Sequence, residues 1–251
     1  FVDFMRVLVP MAGDDTTPEG EQVNIYGNHV GSWNFAATAY LNQWKVKIYY
    51  EHYFDDHSQM FFQYGRWKDG HIGLEITFPK NRFIDTFVYE GLGTKDQTGP
   101  MLYDSFWGEF EEQISAKDNY YNHYLYQGWQ HWGMGIGNPL LPGPIYNKNG
   151  QITFISNRVL AHHIGFCGSP CQSLSYRMLL SYSRHWGTYD NPLNEIKKQF
   201  NSLFEVTYAP QQLKGWSFTV SGAMDRGSML GNNYGGMLVI RKQGIIKSGN
   251  K

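Results

Sequence analysis

Two stretches that meet almost end to end, Ser32 to Leu41 and Trp44 to Phe54, constrain the fold most. Both alternate apolar and polar residues, and only Asn42 and Gln43 separate them. Trp33, Phe35, Ala37, Ala39 and Leu41 share one parity, as do Trp44, Val46, Ile48, Tyr50 and Phe54. A period of two places each set on one face of a β-strand. The other faces carry Asn34, Thr38 and Tyr40, then Lys45, Lys47 and Glu51. One side of this hairpin is apolar with aromatic ends, and the other holds charge. That is the pattern of a strand standing between lipid and water.

The same alternation returns along the chain. Ile72, Leu74, Ile76 and Phe78 alternate with Gly73, Glu75 and Thr77, then a Pro-Lys-Asn-Arg turn leads into Phe83 to Tyr89. Tyr176, Met178, Leu180 and Tyr182 oppose Arg177, Ser181 and Ser183; Phe200, Phe204, Val206 and Tyr208 oppose Asn201, Glu205 and Thr207. Trp216, Phe218 and Val220 alternate with Ser217, Thr219 and Ser221. Phe1 to Val9 reads as a further strand, and Glu109 to Ile114 as a short loop helix at most. Asn42-Gln43, Pro79 to Arg82, Cys167 to Cys171 and Ala209 to Gln212 read as short turns. Phe54 to Gly70, Gly93 to Asn122 and Gly187 to Gln199 read as long loops, which in outer-membrane barrels face the outside. The stretch from Tyr124 to Gly150 either hides another strand or folds inward.

Composition narrows the class. Among 251 residues, 17 % are aromatic and 28 are Gly, a profile ordinary for a β-barrel or a β-rich carbohydrate binder. Mean hydropathy is only -0.47, and no run approaches the roughly 18 consecutive apolar residues of a membrane helix. A net charge of -1 gives nucleic acid no basic surface to bind. The chain opens at Phe1 without a basic leader or apolar signal core, as a processed or truncated product would.

Residue chemistry suggests binding more than catalysis. Cys167 and Cys171 bracket Gly-Ser-Pro, so a disulfide across a hairpin loop is expected, with two free thiols as the alternative. Trp107, Asp118, Asn119, Tyr120, Tyr121, Trp129 and Trp132 combine flat rings with amides and a carboxylate, which suits a glycan-handling loop. The same residues equally suit girdle rings and turn hydrogen bonds. His162 and His163 are adjacent, so on a strand they face opposite ways and do not converge on one ion; no metal and no cofactor are expected. Asp55, Asp56, Glu109, Glu111 and Glu112 read as loop carboxylates, and no nucleophile elbow, phosphate loop or dinucleotide fingerprint occurs. Lys45, Lys47 and Arg177 are expected to balance Glu51, Glu75 and Glu205 inside a plugged, charge-paired interior.

Several segments carry a resemblance. Gly27-Asn28-His29-Val30-Gly31-Ser32, the block from Tyr50-Glu51-His52 to Met60, and Thr94-Lys95-Asp96-Gln97-Thr98-Gly99-Pro100 resemble segments of the Wzi-like capsule assembly family of Bacteroidetes outer membranes. So do Asp118-Asn119-Tyr120-Tyr121-Asn122, Gly137-Asn138-Pro139, Asn157-Arg158 through Gly165, and Tyr176-Arg177 through Tyr189. The resemblance implies a non-enzymatic bacterial outer-membrane barrel that holds or organises capsular polysaccharide at the cell surface. It also implies that residues 1–251 are the C-terminal portion of one barrel domain whose further strands lie N-terminal to them. The tail lacks the terminal aromatic often found on barrel proteins.

The expected fold is therefore all-β, an antiparallel transmembrane outer-membrane β-barrel with long extracellular loops. Its expected partners are surface polysaccharide and outer-membrane lipid. Two other readings are an accessory subunit bound to other outer-membrane proteins, and a secreted β-sandwich that binds carbohydrate or hydrolyses glycosides.

Overall fold

A computed structural model describes residues 1–8, 14–17, 30–55, 69–81, 83–97, 119–122 and 129–244. Nine strands form one antiparallel sheet in which each strand pairs with its neighbour in sequence. They are β1 (Val30–Leu41), β2 (Trp44–Asp55), β3 (Gly70–Thr77), β4 (Thr86–Gly93), β7 (Val159–Cys171), β8 (Leu174–Gly187), β9 (Pro192–Tyr208), β10 (Trp216–Gly227) and β11 (Asn233–Lys242). A separate small hairpin, β5 (Gln130–His131) with β6 (Met134–Gly135), lies between β4 and β7 in sequence. No ladder joins β1 to β11 among the described residues, so the large sheet is open along both.

The alternation read from the sequence survives in the register. Ile48 faces Leu74 and Ala37, Leu74 faces Tyr89, Tyr89 faces Ile164, and Ile164 faces Leu180. One parity is thus apolar across the whole sheet. It is not covered: Ile48 is 55 % exposed, Phe204 50 %, Val220 61 % and Leu238 65 %. The opposite parity holds Glu51, Glu75, Glu90, Glu195, Glu205 and Asp225, and no Asp or Glu stands on the apolar parity among the described residues of the nine strands. Rings gather toward the margins of the apolar face. Trp44 and Phe78 lie 5.0 Å apart, and Trp216 stacks on Phe218 at 6.3 Å.

The turns at one end of the sheet are tight. Leu41 faces Trp44 across Asn42-Gln43, with Asn42 at φ 56, a left-handed conformation that Asn tolerates. Between β3 and β4 the Asn81 side chain does the work of a turn. Its Oδ1 accepts the N–H of Phe83 and of Ile84, each at 2.9 Å, and its Nδ2 donates to the carbonyls of Pro79 and Ile84.

Three expectations are corrected here. Val2–Leu8 is a helix, α1, and not a strand. Phe1, Phe4, Met5 and Leu8 repeat at helical spacing, and Arg6 bridges Asp3 at 3.4 Å and Asp14 at 2.6 Å. The loop expected over Gly187 to Gln199 shrinks to residues 188–191, because β9 begins at Pro192 and pairs with the end of β8. Its polar run Asn194 to Gln199 reads as loop only while a strand is required to be apolar on one face. The Cys167–Cys171 bridge does not form. Both cysteines lie on β7, the turn is Gln172-Ser173, and the thiols are free. A bulge lies between Gly168 and Cys171, and the β8 partners of the two cysteines, Arg177 and Leu174, stand three residues apart, roughly 10 Å of strand and beyond the reach of a disulfide. Of the stretch left open between a strand and an inward fold, the described part, residues 129–150, takes the second course. Residues 129–157 hold only the two-residue strands β5 and β6 and a 3-10 turn at Pro144–Tyr146.

This segment covers part of the charged face. Leu141 and Phe154 join Leu92, Val159 and Ala161 in a buried apolar cluster, with Tyr53, Tyr121 and Leu140 against it. The core of the molecule therefore lies between the polar parity of the sheet and its cover. Replacing Asn81 by Ala removes four turn hydrogen bonds, and is expected to lower stability by about 1–2 kcal/mol, measured as a shift in the urea unfolding midpoint.

Candidate functional site

The cover leaves a cavity of about 590 Å³ against the sheet. Its floor is the polar parity of four strands: Glu51 from β2, His71 from β3, Glu90 from β4 and His163 from β7. Tyr53 and Phe54 wall it, and Tyr120, Tyr121 and residues 137–141 roof it. Among the described lining residues none is Lys or Arg.

Register explains why these groups converge. Glu51 faces His71, Gly73 faces Glu90, Glu90 faces His163, and His163 faces Ser181. His71 stands between two carboxylates, its Nδ1 3.7 Å from Glu51 Oε2 and its Nε2 3.5 Å from Glu90 Oε1. Ser32 donates to Glu51 Oε1 at 2.6 Å, and the Tyr49 hydroxyl donates to Glu90 Oε1. His163 Nδ1 lies 2.7 Å from Ser181 Oγ. Gly73 makes the Tyr49 contact possible: a Cβ there would sit 2.0 Å from the Tyr49 ring.

Toward the tight-turn end the floor becomes ionic. Lys45 pairs with Glu75 at 3.5 Å and Arg177 with Glu205 at 3.3 Å, as expected for a charge-paired interior. Lys47 lies 5.2 Å over the Tyr49 ring, and Glu51 is matched by His71 where a lysine was expected. His162 and His163 do face opposite ways. His162 Nδ1 meets the Tyr89 hydroxyl at 2.8 Å on the apolar parity.

The cover is fixed by amides. Asn157 Nδ2 donates to Asn119 Oδ1 at 2.5 Å and to the Tyr120 carbonyl at 2.9 Å. Asn122 donates to the Phe154 carbonyl and accepts the Phe154 N–H, at 2.8 and 2.7 Å. Thr94 Oγ1 donates to the Asn157 carbonyl at 2.7 Å and accepts the Val159 N–H at 3.0 Å. Asp69, buried in the same region, accepts N–H groups from Asp96 (2.9 Å) and Gln97 and the Tyr120 hydroxyl at 3.3 Å. Burial outweighs these bonds and pushes its pKa up to about 6.

The residues expected to handle glycan divide accordingly. Trp107 and Asp118 lie outside the described residues. Asn119 and Tyr120 hold the cover in place, although Tyr120 also lines the cavity. Tyr121 lines it too, its ring tilted against that of Phe154 with centroids 4.9 Å apart, and has a left-handed φ of 67. Trp132, 84 % exposed, sits in the β5–β6 turn, while half-buried Trp129 accepts the Ile136 N–H at 3.1 Å through its carbonyl. Of the carboxylates read as loop, Asp55 ends β2, while Asp56, Glu109, Glu111 and Glu112 lie outside the described residues. Reading the sequence missed the floor itself, His71, Glu90 and His163. Its signal was the placement of a charged or imidazole residue at the same height on neighbouring strands, which only the register reveals.

Comparison of the chain with known protein families, with curated proteins and with solved structures finds no match. The function must therefore be argued from the geometry.

Because the Asp69 carboxyl has a higher pKa folded than unfolded, the native state binds more protons between about pH 4 and 6. Stability should fall as pH rises through that window, by on the order of 2–3 kcal/mol. Unfolding midpoints at pH 4 and pH 7 should differ more in the unaltered protein than in Asp69→Asn. Gly73→Val should displace the Tyr49 ring from Glu90, seen as a lowered urea unfolding midpoint.

Proposed function

We propose that the chain is wall and plug of a bacterial outer-membrane β-barrel that serves surface polysaccharide as a non-enzymatic binding or assembly protein. The observation that carries the membrane half is the uncovered apolar parity. Burying a Val, Leu, Ile or Phe side chain is worth about 1.5–3 kcal/mol. Phe35, Ile48, Ile72, Phe204, Val220, Leu238 and Ile240 are each more than half or about half exposed. Left in water, such a face forgoes on the order of 10 kcal/mol, as much as the net stability of a whole domain. Acyl chains would recover it.

Charge placement supports the same reading. A cation on a lipid-facing strand costs about 2–4 kcal/mol at mid-membrane and about 0–1 near the interface. On the apolar parity Arg226 and Lys242 stand at strand ends, Arg184 lies three residues from the end of β8, and Lys198 faces Arg184 just past the last residue of β9 that pairs with β10. A β-sandwich is less well supported, since it needs a second sheet on the apolar face. Among the described residues the one other sheet is the β5–β6 hairpin, which belongs to the cover over the opposite face.

The polysaccharide half rests on the cavity and on the resemblance of the cover segments. Tyr53 and Tyr121 offer ring faces to the C–H surface of a sugar, and Glu51, Glu90 and Asn138 offer acceptors to its hydroxyls. The paired, covered floor is that of a binding recess and not of a conducting pore.

Single cysteines test the wall. Ile48→Cys should react with a lipid-soluble maleimide and Lys47→Cys should not; equal labelling, or a monodisperse product without detergent, sinks the membrane reading. For the cavity, Tyr121→Ala and Glu90→Gln should reduce cell-surface polysaccharide retention several-fold at unchanged protein level. Unaltered retention in both variants would remove the glycan role.

A further inference from the structure

The apolar parity ends, on the side of the long connections, in a patch of cations. Arg184 on β8 faces Lys198 on β9 directly. Arg226 on β10 faces Phe200, one step along the same face from Lys198. Like charges directly opposite on a sheet repel, and no carboxylate stands on this parity among the described residues of the nine strands. Every strand carboxylate named above lies on the other side of the sheet. Among the described strand residues, then, no carboxylate on this face balances these three cations.

The surroundings identify its class. One row below lie His162, Tyr182 and Phe200, and beyond them Ile164 and Leu180, where the face is apolar. On the other side, Trp186 carries the Arg184 guanidinium 5.0 Å and the Lys95 ammonium 5.2 Å from its ring centroid. Arg184 and Lys198 above an aromatic row that Arg226 closes at its β10 end, itself above an aliphatic band, match in order the phosphate, glycerol or sugar, and acyl layers of a lipid. A guanidinium pairs with phosphate oxygens through two parallel hydrogen bonds.

We propose that Arg184, Lys198 and Arg226 form a binding site for the phosphate-bearing headgroup of a membrane glycolipid at the rim of the sheet. This rests on the membrane reading above, and it adds a specific lipid contact on the long-connection side. Lys242, at the opposite end of β11, is not part of it.

The test uses the full chain purified in detergent, with bis-phosphorylated lipid A as the probe and native mass spectrometry as the readout. The unaltered protein should retain lipid A in preference to phosphatidylethanolamine, and millimolar inorganic phosphate should not displace it. Lys198→Gln combined with Arg226→Gln should weaken retention at least ten-fold, whereas Lys198→Arg with Arg226→Lys and Lys242→Gln should each keep it. Unchanged retention in the double Gln variant overturns the site, as does equal loss in Lys242→Gln or displacement by inorganic phosphate. Should the double variant not assemble, the unaltered protein decides. Its lipid A retention must fall between 50 and 500 mM salt while phosphatidylethanolamine retention does not, and a salt-independent result refutes the proposal. A chain that needs no detergent defeats the membrane reading; a detergent-dependent chain indifferent to these cations defeats this site alone.

Discussion

Everything in this structure depends on the continuity of one backbone register across nine antiparallel strands. Because side chains alternate strictly, a slip of one residue on any strand would carry its charges to the apolar side and its rings to the charged side. Cross-strand pairs such as Lys45 with Glu75 and Arg177 with Glu205 would then be lost together with the ring contacts at the margins. Chemistry on both faces therefore enforces the same alignment. Local devices, chiefly the Asn42 turn and the Asn81 side chain, set where each alignment starts.

The buried core is unusual in its location. It does not lie on the face richest in aliphatic residues; it lies on the charged face, under the segment anchored by Asn119, Asn122 and Asn157. Side-chain amides suit that task because each both donates and accepts, so irregular backbone can be held without a ladder. The cavity is what remains where this irregular cover fails to meet the flat array of Glu51, His71, Glu90 and His163.

Much of the sheet was legible in the sequence because period-two alternation is a local property. The β1–β2 hairpin, the opposed directions of His162 and His163 and the Glu75 and Glu205 ion pairs all follow from counting residues. The failures share a cause. The reach of β9 to Pro192 and the position of the β7–β8 turn depend on which distant residues are present to pair, and Gly-Ser-Pro between two cysteines reads as a turn until β8 takes Gly168 and Cys171 on either side of a bulge. The cavity floor was illegible for a related reason: His71, Glu90 and His163 are far apart in sequence and unremarkable one by one. Asn119 and Tyr120 were noticed for their chemistry, yet much of their hydrogen bonding goes to holding the cover in place.

The odd number of strands carries a topological consequence. In a meander each strand reverses the one before it, so the first and ninth, β1 and β11, point the same way. Curling this sheet until those two edges touched would create a parallel seam in an otherwise antiparallel cylinder, with slanted hydrogen bonds unlike those of its neighbours. A cylinder antiparallel all the way round instead requires an odd number of additional strands in the gap. The direction of the two edges thus fixes the parity of the strands that any closure of the nine described ones would need.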